Sequence, residues 1–174
     1  YITGYTNISA SWDVLLLKYD SSGTLLWQSK LGVGTTEIGN GVATDSSGNV
    51  YVCGYSNVTG ANALLLAKYN SSGTIQWQHV LENGQAQGNG ITIDSSNNIY
   101  VCGKSRYFGS DDMYVAKYNT SGTIQWQRRI GNNTNSEQAN SVAVDSQGNV
   151  YLVGYGQVSG VWNILYAKLP ADGS

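Results

Sequence analysis

The sequence predicts an all-β fold built from repeated four-stranded antiparallel units, and three observations support this prediction. A Tyr-x-x-Gly stretch recurs with spacings of 50, 49 and 51 residues, beginning at Tyr1, Tyr51, Tyr100 and Tyr151. Within each period, short apolar or alternating runs have the periodicity of strands, and no segment has a helical period. Turns rich in Asp, Asn, Ser and Gly separate these runs, as expected for hairpins.

Three further markers recur at matching offsets and confirm that the chain is a tandem repeat. They are a lysine (Lys18, Lys68, Lys117, Lys168), a tryptophan within a Gly-Thr-(Leu/Ile)-x-Trp-Gln run (Trp27, Trp77, Trp126) and an aspartate (Asp45, Asp94, Asp145). We therefore divide the chain, as a single segment of one domain, into repeats at 1–50, 51–99, 100–150 and a partial repeat at 151–174.

Four strands are predicted within each unit. The run at 90–94 alternates between apolar and polar residues and forms the first strand, and 99–103 forms the second. The run at 64–69 is apolar on both faces, which predicts a strand in the middle of a covered sheet. The run at 74–78 alternates again and carries charge in other copies, which favours an outer edge strand.

Four antiparallel strands in about 50 residues correspond to one blade of a β-propeller. The chain begins in the second strand of a blade and ends in the third strand of another, which gives about 14 strands and about three and a half blades. Propellers usually close with four to eight blades. We therefore expect a partial ring, completed either by self-association into a head-to-tail dimer or by the rest of a longer parent chain.

Three phrases of the sequence resemble the SBBP β-propeller repeat family. They are Val-Asp-Ser-Gln-Gly-Asn-Val-Tyr-Leu-Val-Gly-Tyr (144–155), Ala-Lys-Tyr-Asn (67–70) and Ser-Gly-Thr-Ile-Gln-Trp-Gln (72–78). The resemblance implies a propeller from a bacterial surface or secreted protein or from a phage structural protein. It also implies an extracellular, cell-surface or virion location. The family has no single assigned activity, so the resemblance predicts the fold more closely than the function.

Composition and motifs argue against several classes of function. Charged residues make up 11% of the chain and the net charge is −2, which disfavours a nucleic-acid partner. No apolar run approaches 18 residues, so we expect no membrane insertion. His79 is the single histidine, and no Ser-His-acid or Cys-His arrangement can be built from it. A quinone-dependent propeller is disfavoured because no quinone or calcium ligand set is visible, and a glycosidase propeller is disfavoured because the chain has only three arginines, Arg106, Arg128 and Arg129. We expect no enzyme activity, no catalytic residues and no cofactor.

The cysteines and the aspartate turns are interpreted as structural. Cys53 and Cys102 hold equivalent positions in adjacent units, and sheets pack about 10 Å apart, which is too far for a disulfide. We expect two free, buried thiols. The turn that begins at Asp45 resembles a calcium loop, but Ser56 stands where an EF-hand needs a bidentate acid. We therefore predict no metal site.

Each repeated tryptophan is predicted to pack between neighbouring blades, because large aromatic side chains stabilise repeat interfaces. The alternative is a ladder of tryptophans that stacks on a ligand. The repeated lysine is expected to extend its stem along the surface or to pair with a turn carboxylate.

The loops that vary between repeats lie opposite the uniform hairpins and are the best candidates for binding. The candidate ligand-binding residues in or beside them are Trp12, Tyr107, Phe108, Asp111, Asp112 and Trp162. The competing interpretation is that the aromatic side chains cap the blade ends and that the acid pair is merely solvated. We expect a non-enzymatic structural or adhesion module. The alternative is a lectin-like carbohydrate binder that uses the variable loops, and the expected partner is a glycan or a host-surface protein.

Overall fold

The structure is a computed structural model that describes residues 1–7, 11–32, 36–57, 60–81, 85–106, 109–132 and 134–174. Within these ranges the chain forms 14 strands and no helix. Accordingly, the described residues include no helix that is long and apolar enough to span a membrane. The strands are β1 (Ile2–Asn7), β2 (Trp12–Tyr19), β3 (Leu25–Leu31), β4 (Glu37–Thr44), β5 (Val50–Ser56), β6 (Ala63–Tyr69), β7 (Ile75–Leu81), β8 (Gln85–Ile93), β9 (Ile99–Arg106), β10 (Asp111–Tyr118), β11 (Ile124–Ile130), β12 (Glu137–Val144), β13 (Val150–Val158) and β14 (Val161–Leu169).

The strands form four antiparallel sheets, which we call blades 1 to 4. Blade 1 contains β1–β3, blade 2 contains β4–β7, blade 3 contains β8–β11 and blade 4 contains β12–β14. Strand order within each blade follows chain order, so every connection is a simple hairpin. The four sheets do not close into a ring. The predicted all-β propeller fold, with three-stranded blades at both ends, is confirmed.

The hairpin turns follow from the side chain of their first residue. The Oδ1 atom of Asp94 accepts hydrogen bonds from the backbone N–H groups of Ser96 at 2.9 Å and Asn98 at 2.8 Å. This arrangement is an Asx-type turn, in which a carboxylate oxygen accepts hydrogen bonds from backbone N–H groups of the turn. The fourth turn residue has a positive φ, and Asn97 (φ 63°) replaces the glycine found in the other copies.

The core lies between blades. The second and third strands of blades 2 and 3 are buried on both faces, since each face packs against a neighbouring sheet. Cys53 and Cys102 are buried and free, as predicted. Burial raises the pKa of both thiols, that of Cys102 to about 12.

The innermost strands are joined by side-chain amides that the sequence analysis did not single out. A bulge in β4 leaves Asn40 unpaired in the ladder, and its Nδ2 atom donates to the Gly88 carbonyl of β8 at 2.8 Å. Asn89, in the equivalent bulge of β8, donates to the Ala139 carbonyl of β12 at 2.9 Å. Each bulge therefore ties one blade to the next.

Candidate functional site

The loops that join second and third strands, together with the blade-to-blade connections, form one edge of the sheets, which we call the variable rim. The hairpin turns form the opposite edge, which we call the turn face. The strand register places three predicted site residues, Trp12, Asp111 and Trp162, at one equivalent position of the rim. In blade 2 the residue at the corresponding place is Asn62, directly before β6. The sequence therefore changes the chemistry of one fixed position from blade to blade.

Aromatic pairs occupy this position at both ends of the molecule. Trp12 stacks on Tyr5 with ring centroids 4.5 Å apart, and Trp162 meets Tyr155 edge-on at 5.2 Å. Both tryptophans are exposed. Each ring is held by its partner and still presents a face to solvent, which is the state required for stacking on a ligand.

In blade 3 an ion-pair cluster replaces the aromatic pair. Lys104 Nζ and Arg106 Nε each lie 2.9 Å from a carboxylate oxygen of Asp111. Burial alone would raise the pKa of Asp111, but the bonds from Lys104 and Arg106 outweigh it and lower the pKa below 3.8. Asp111 is therefore ionised and already paired.

Two clefts meet at this cluster. A cleft of 320 Å³ lies on the side of blade 2, and its polar lining includes Asn57, Asn62, Gln85 and Gln87 beside the cluster. A smaller cleft of 170 Å³ lies on the side of blade 4 and is lined by Lys104, Asp111, Ser136, Glu137, Gln138, Tyr155 and Trp162. The fold thus brings together two predicted site residues, Asp111 and Trp162, and leaves Trp12 apart in blade 1.

Asp112 lies at a different place from its neighbour. It is 3% exposed, so the interpretation of the adjacent acids as a solvated pair is wrong. Alternation along β10 turns Asp112 inward, towards Glu137 of β12. Burial, followed by the negative charge of Asp112, raises the pKa of Glu137. Sequence reasoning missed Glu137, although a glutamate at the first position of both β4 and β12 was a visible signal. The predicted site residues Tyr107 and Phe108 lie outside the described residues.

The repeated tryptophans lie on the turn face, at the blade junctions. The indole N–H of Trp27 donates to the Ser71 carbonyl of blade 2 at 3.2 Å, and Trp77 donates to the Thr120 carbonyl of blade 3 at 3.3 Å. The turn glycine Gly73 stands against an indole face, since a Cβ on it would lie 2.9 Å from Trp27. Trp126 makes the same approach to Gly173. All three indoles are half-buried between neighbouring blades.

Each repeated lysine lies over the ring of the repeated tyrosine, and Lys18 and Lys68 also donate to a backbone carbonyl of the next blade. Of the two alternatives expected from the sequence, this fits a stem extended along the surface better than a pair with a turn carboxylate. Lys68 Nζ lies 5.2 Å from the ring centre of Tyr51 and donates to the Thr120 carbonyl at 3.4 Å. The hydroxyl of Tyr51 in turn donates to Asp45 at 3.0 Å. The four markers of the repeat therefore form one connected group at the junction of blades 2 and 3. Lys18 and Trp27 likewise share the Ser71 carbonyl at the junction of blades 1 and 2, whereas Trp126 Nε1 has no hydrogen-bond partner among the described residues.

Comparison with protein families agrees with this geometry. The model of a β-propeller repeat, SBBP, matches residues 30–60, 81–111 and 125–160, which together make up more than half of the chain. The chain belongs to the SBBP β-propeller repeat family. The resemblance expected from the sequence is thereby confirmed. A search of curated proteins found no match to this SBBP chain. Among the described residues of the SBBP blades, no group of three or more His, Cys, Asp or Glu side chains is arranged to hold a metal ion.

Proposed function

We propose that this SBBP chain is a non-enzymatic structural and adhesion module of a surface or virion protein, which assembles head to tail with a second copy. The carrying observation is the open face of blade 4. Ile164 is 82% exposed and Tyr166 is 87% exposed, and Tyr151 and Val153 are exposed beside them. Large apolar surfaces of this kind mark sites of association.

The repeat itself indicates what covers this face. The register makes Ile164 equivalent to Met113 and Tyr166 equivalent to Val115. Met113 and Val115 are buried because they pack against blade 4. The same positions in blade 2, Leu64 and Leu66, are buried against blade 3. An SBBP blade is therefore the surface that fits the open face of blade 4.

Blade 1 offers the complementary face. Ile2 and Tyr19 are exposed in blade 1, and the register makes them equivalent to Val101 and Tyr118 of blade 3. Val101 and Tyr118 are buried in the cluster that blade 3 forms with blade 2. Blade 1 of one copy can therefore pack on blade 4 of another copy in the way that each blade packs on the preceding blade within the chain. Two such contacts between two copies give a closed ring with two-fold symmetry.

Light scattering on variants of the full chain tests this proposal. Tyr166→Glu and Ile2→Glu place a charge on opposite faces of the head-to-tail contact, so each is expected to lower the measured mass from that of a dimer to 18.6 kDa. Mixing the two variants pairs one unmodified blade 1 with one unmodified blade 4, and is expected to restore part of the dimer. Gln76→Glu, on an exposed outer strand, is the matched control. A wild-type mass of 18.6 kDa at micromolar concentration would contradict the proposal.

The cleft beside Trp162 favours a second candidate function, which is carbohydrate binding. Trp162 and Tyr155 provide aromatic faces, and Lys104, Asp111 and Gln138 provide hydrogen-bonding groups within the same 170 Å³ cleft. Sugars are bound by this combination, since aromatic faces cover their C–H groups and polar side chains bind their hydroxyls.

A glycan array followed by titration of tryptophan fluorescence tests this second candidate. Trp162→Ala is expected to weaken binding of a retained glycan by about tenfold or more, the loss of one good stacking contact. Trp12→Ala removes the equivalent aromatic side chain from blade 1 and is expected to leave the affinity unchanged. Binding that survives Trp162→Ala would exclude this cleft as the sugar site.

A further inference from the structure

We propose that the variable rim between blades 3 and 4 binds a divalent cation between the carboxylates of Asp112 and Glu137. Asp112 lies at the start of β10 and Glu137 is the first residue of β12, so two neighbouring blades contribute one acid each. The side chains are 3% and 7% exposed. Among the described residues, neither Asp112 Oδ1 nor Glu137 Oε2 has a hydrogen-bond partner, although both atoms are buried.

Gly131 leaves the space that such a cation needs. Both unpartnered oxygens lie within 2.9 Å of the point where a Cβ on Gly131 would stand. They therefore converge on one small volume, which the missing side chain keeps open. Two buried carboxylates that face each other are unfavourable unless a cation or a proton lies between them.

The chain contains an internal comparison at the junction of blades 1 and 2. The register makes Asp13 equivalent to Asp112 and Glu37 equivalent to Glu137. Both acids of this first pair are also buried. Their charges are met by protein groups, because Lys30 Nζ lies 2.5 Å from Asp13 and Ser56 Oγ donates to Glu37 at 3.0 Å.

The second pair lacks part of this support. The position of Ser56 is taken by Gly156, which has no hydroxyl, and a Cβ there would stand 2.6 Å from Glu137 Cγ. The register places Arg129 at the position of Lys30. At the junction of blades 2 and 3 the acids are replaced by Ala63 and Ala86. The fold therefore does not require the acids.

Oxygen donors identify the class of cation as Ca²⁺ or Mg²⁺. A cleft of 400 Å³ reaches Glu137 and is lined in part by Asn132, Asn135 and Gln157, so a cation and its water ligands can approach the pair from the side of Glu137. Two protein carboxylates with water ligands match the weak calcium sites of extracellular modules, with dissociation constants of about 10⁻⁴ to 10⁻³ M.

Thermal unfolding of the full chain tests the site, with CaCl₂ as the probe after treatment with a chelator. At about 10 mM CaCl₂ the midpoint is expected to rise by about 3–6 °C above that in NaCl of equal ionic strength. Asp112→Asn and Glu137→Gln are expected to abolish this rise. Glu37→Gln, at the equivalent acid of the first pair, is the matched control and is expected to keep it.

Gly131→Ala provides a second variant that retains both acids. Its methyl group fills the space between the oxygens, so the calcium-dependent rise is expected to disappear. Absence of a rise in the wild-type protein overturns the proposal, as does a rise that persists in Asp112→Asn and Glu137→Gln. The proposal is also overturned if the midpoint of thermal unfolding does not change with calcium but rises as the pH is lowered from 7 to 5, because the two acids would then share a proton.

Discussion

At the scale of single residues, the indole of Trp77 illustrates how one side chain joins two blades. Its N–H bonds the Thr120 carbonyl of blade 3, and its ring meets Tyr51 edge-on at 6.1 Å. Trp77→Ala is expected to lower the free energy of unfolding by about 2–4 kcal/mol. This is less than the loss of about 3–5 kcal/mol that is typical of fully buried tryptophans, because the Trp77 indole is only half-buried. Chemical denaturation measures this loss.

Trp162→Ala is the control for that measurement. Trp162 is exposed on the variable rim, so its removal is expected to change stability by less than about 1 kcal/mol. Equal losses in Trp77→Ala and Trp162→Ala would contradict the assignment of Trp77 to blade docking.

The turn carboxylates make stability depend on pH. Burial raises the pKa of Asp94, but hydrogen bonds from Asn98 and Tyr100 outweigh it and lower the pKa below 3.8. A lowered pKa in the folded state means that the contribution to stability is present above pH 3.8 and is lost as the pH falls through the folded-state value. Wild-type stability is therefore expected to decline below about pH 4. Asp94→Asn is expected to reduce that decline when unfolding is measured between pH 2 and 6.

The structural role of the repeated residues was predictable because each of them occurs at the same offset in several repeats. The tryptophan recurs at one offset, and the place between blades follows from that recurrence. The buried pair of Asp112 and Glu137 was not predictable in this way. The two acids are distant in sequence and meet only because adjacent blades start their strands at the same rim, which no local pattern reports.

At the scale of elements, the third-to-fourth-strand turn has a steric requirement beyond its hairpin geometry. Gly122 has φ +81°, and a Cβ on it would lie 2.5 Å from His79 Nε2. Gly122→Ala is therefore expected to cost about 2–3 kcal/mol, which combines backbone strain with displacement of a packed side chain.

Gly60→Ala separates these two effects. Gly60 has φ +82°, and no atom of the described residues lies within 4 Å of the place where its Cβ would stand, so only the backbone strain of about 1 kcal/mol is expected. Equal losses for the two variants in urea unfolding would show that the docking of the turn on the preceding blade contributes nothing.

The order and pairing of strands were predictable from alternation and turn residues, but the bulges in the inner strands were not. Asn89 lies just before the run at 90–94 that was predicted as a first strand, and Asn40 holds the equivalent position in the preceding repeat. Their displacement from the ladder is a consequence of bonds to the next blade. A register shift of this origin depends on contacts between assembled sheets, so it cannot be predicted from the local pattern of apolar and polar residues.

At the scale of the whole molecule, protection against hydrogen exchange is expected to be graded along the chain. The second and third strands of blades 2 and 3 are buried on both faces, whereas β1 and β14 are edge strands with exposed apolar residues. Exchange measured by mass spectrometry should therefore be slowest in β5, β6, β9 and β10 and fastest in β1 and β14. Uniform protection would contradict this gradient.

The separation between the turn face and the variable rim has a consequence for how the molecule can change. Contacts between blades use the turn carbonyls and inner-strand amides, while one paired rim position already accommodates Trp12, Asp111 and Trp162 without a change in strand pairing. Mutations at the rim can therefore accumulate at little cost to folding. The same property makes the chain a scaffold for display libraries, in which randomised rim positions would be selected for new ligands while the turn sequences are held constant.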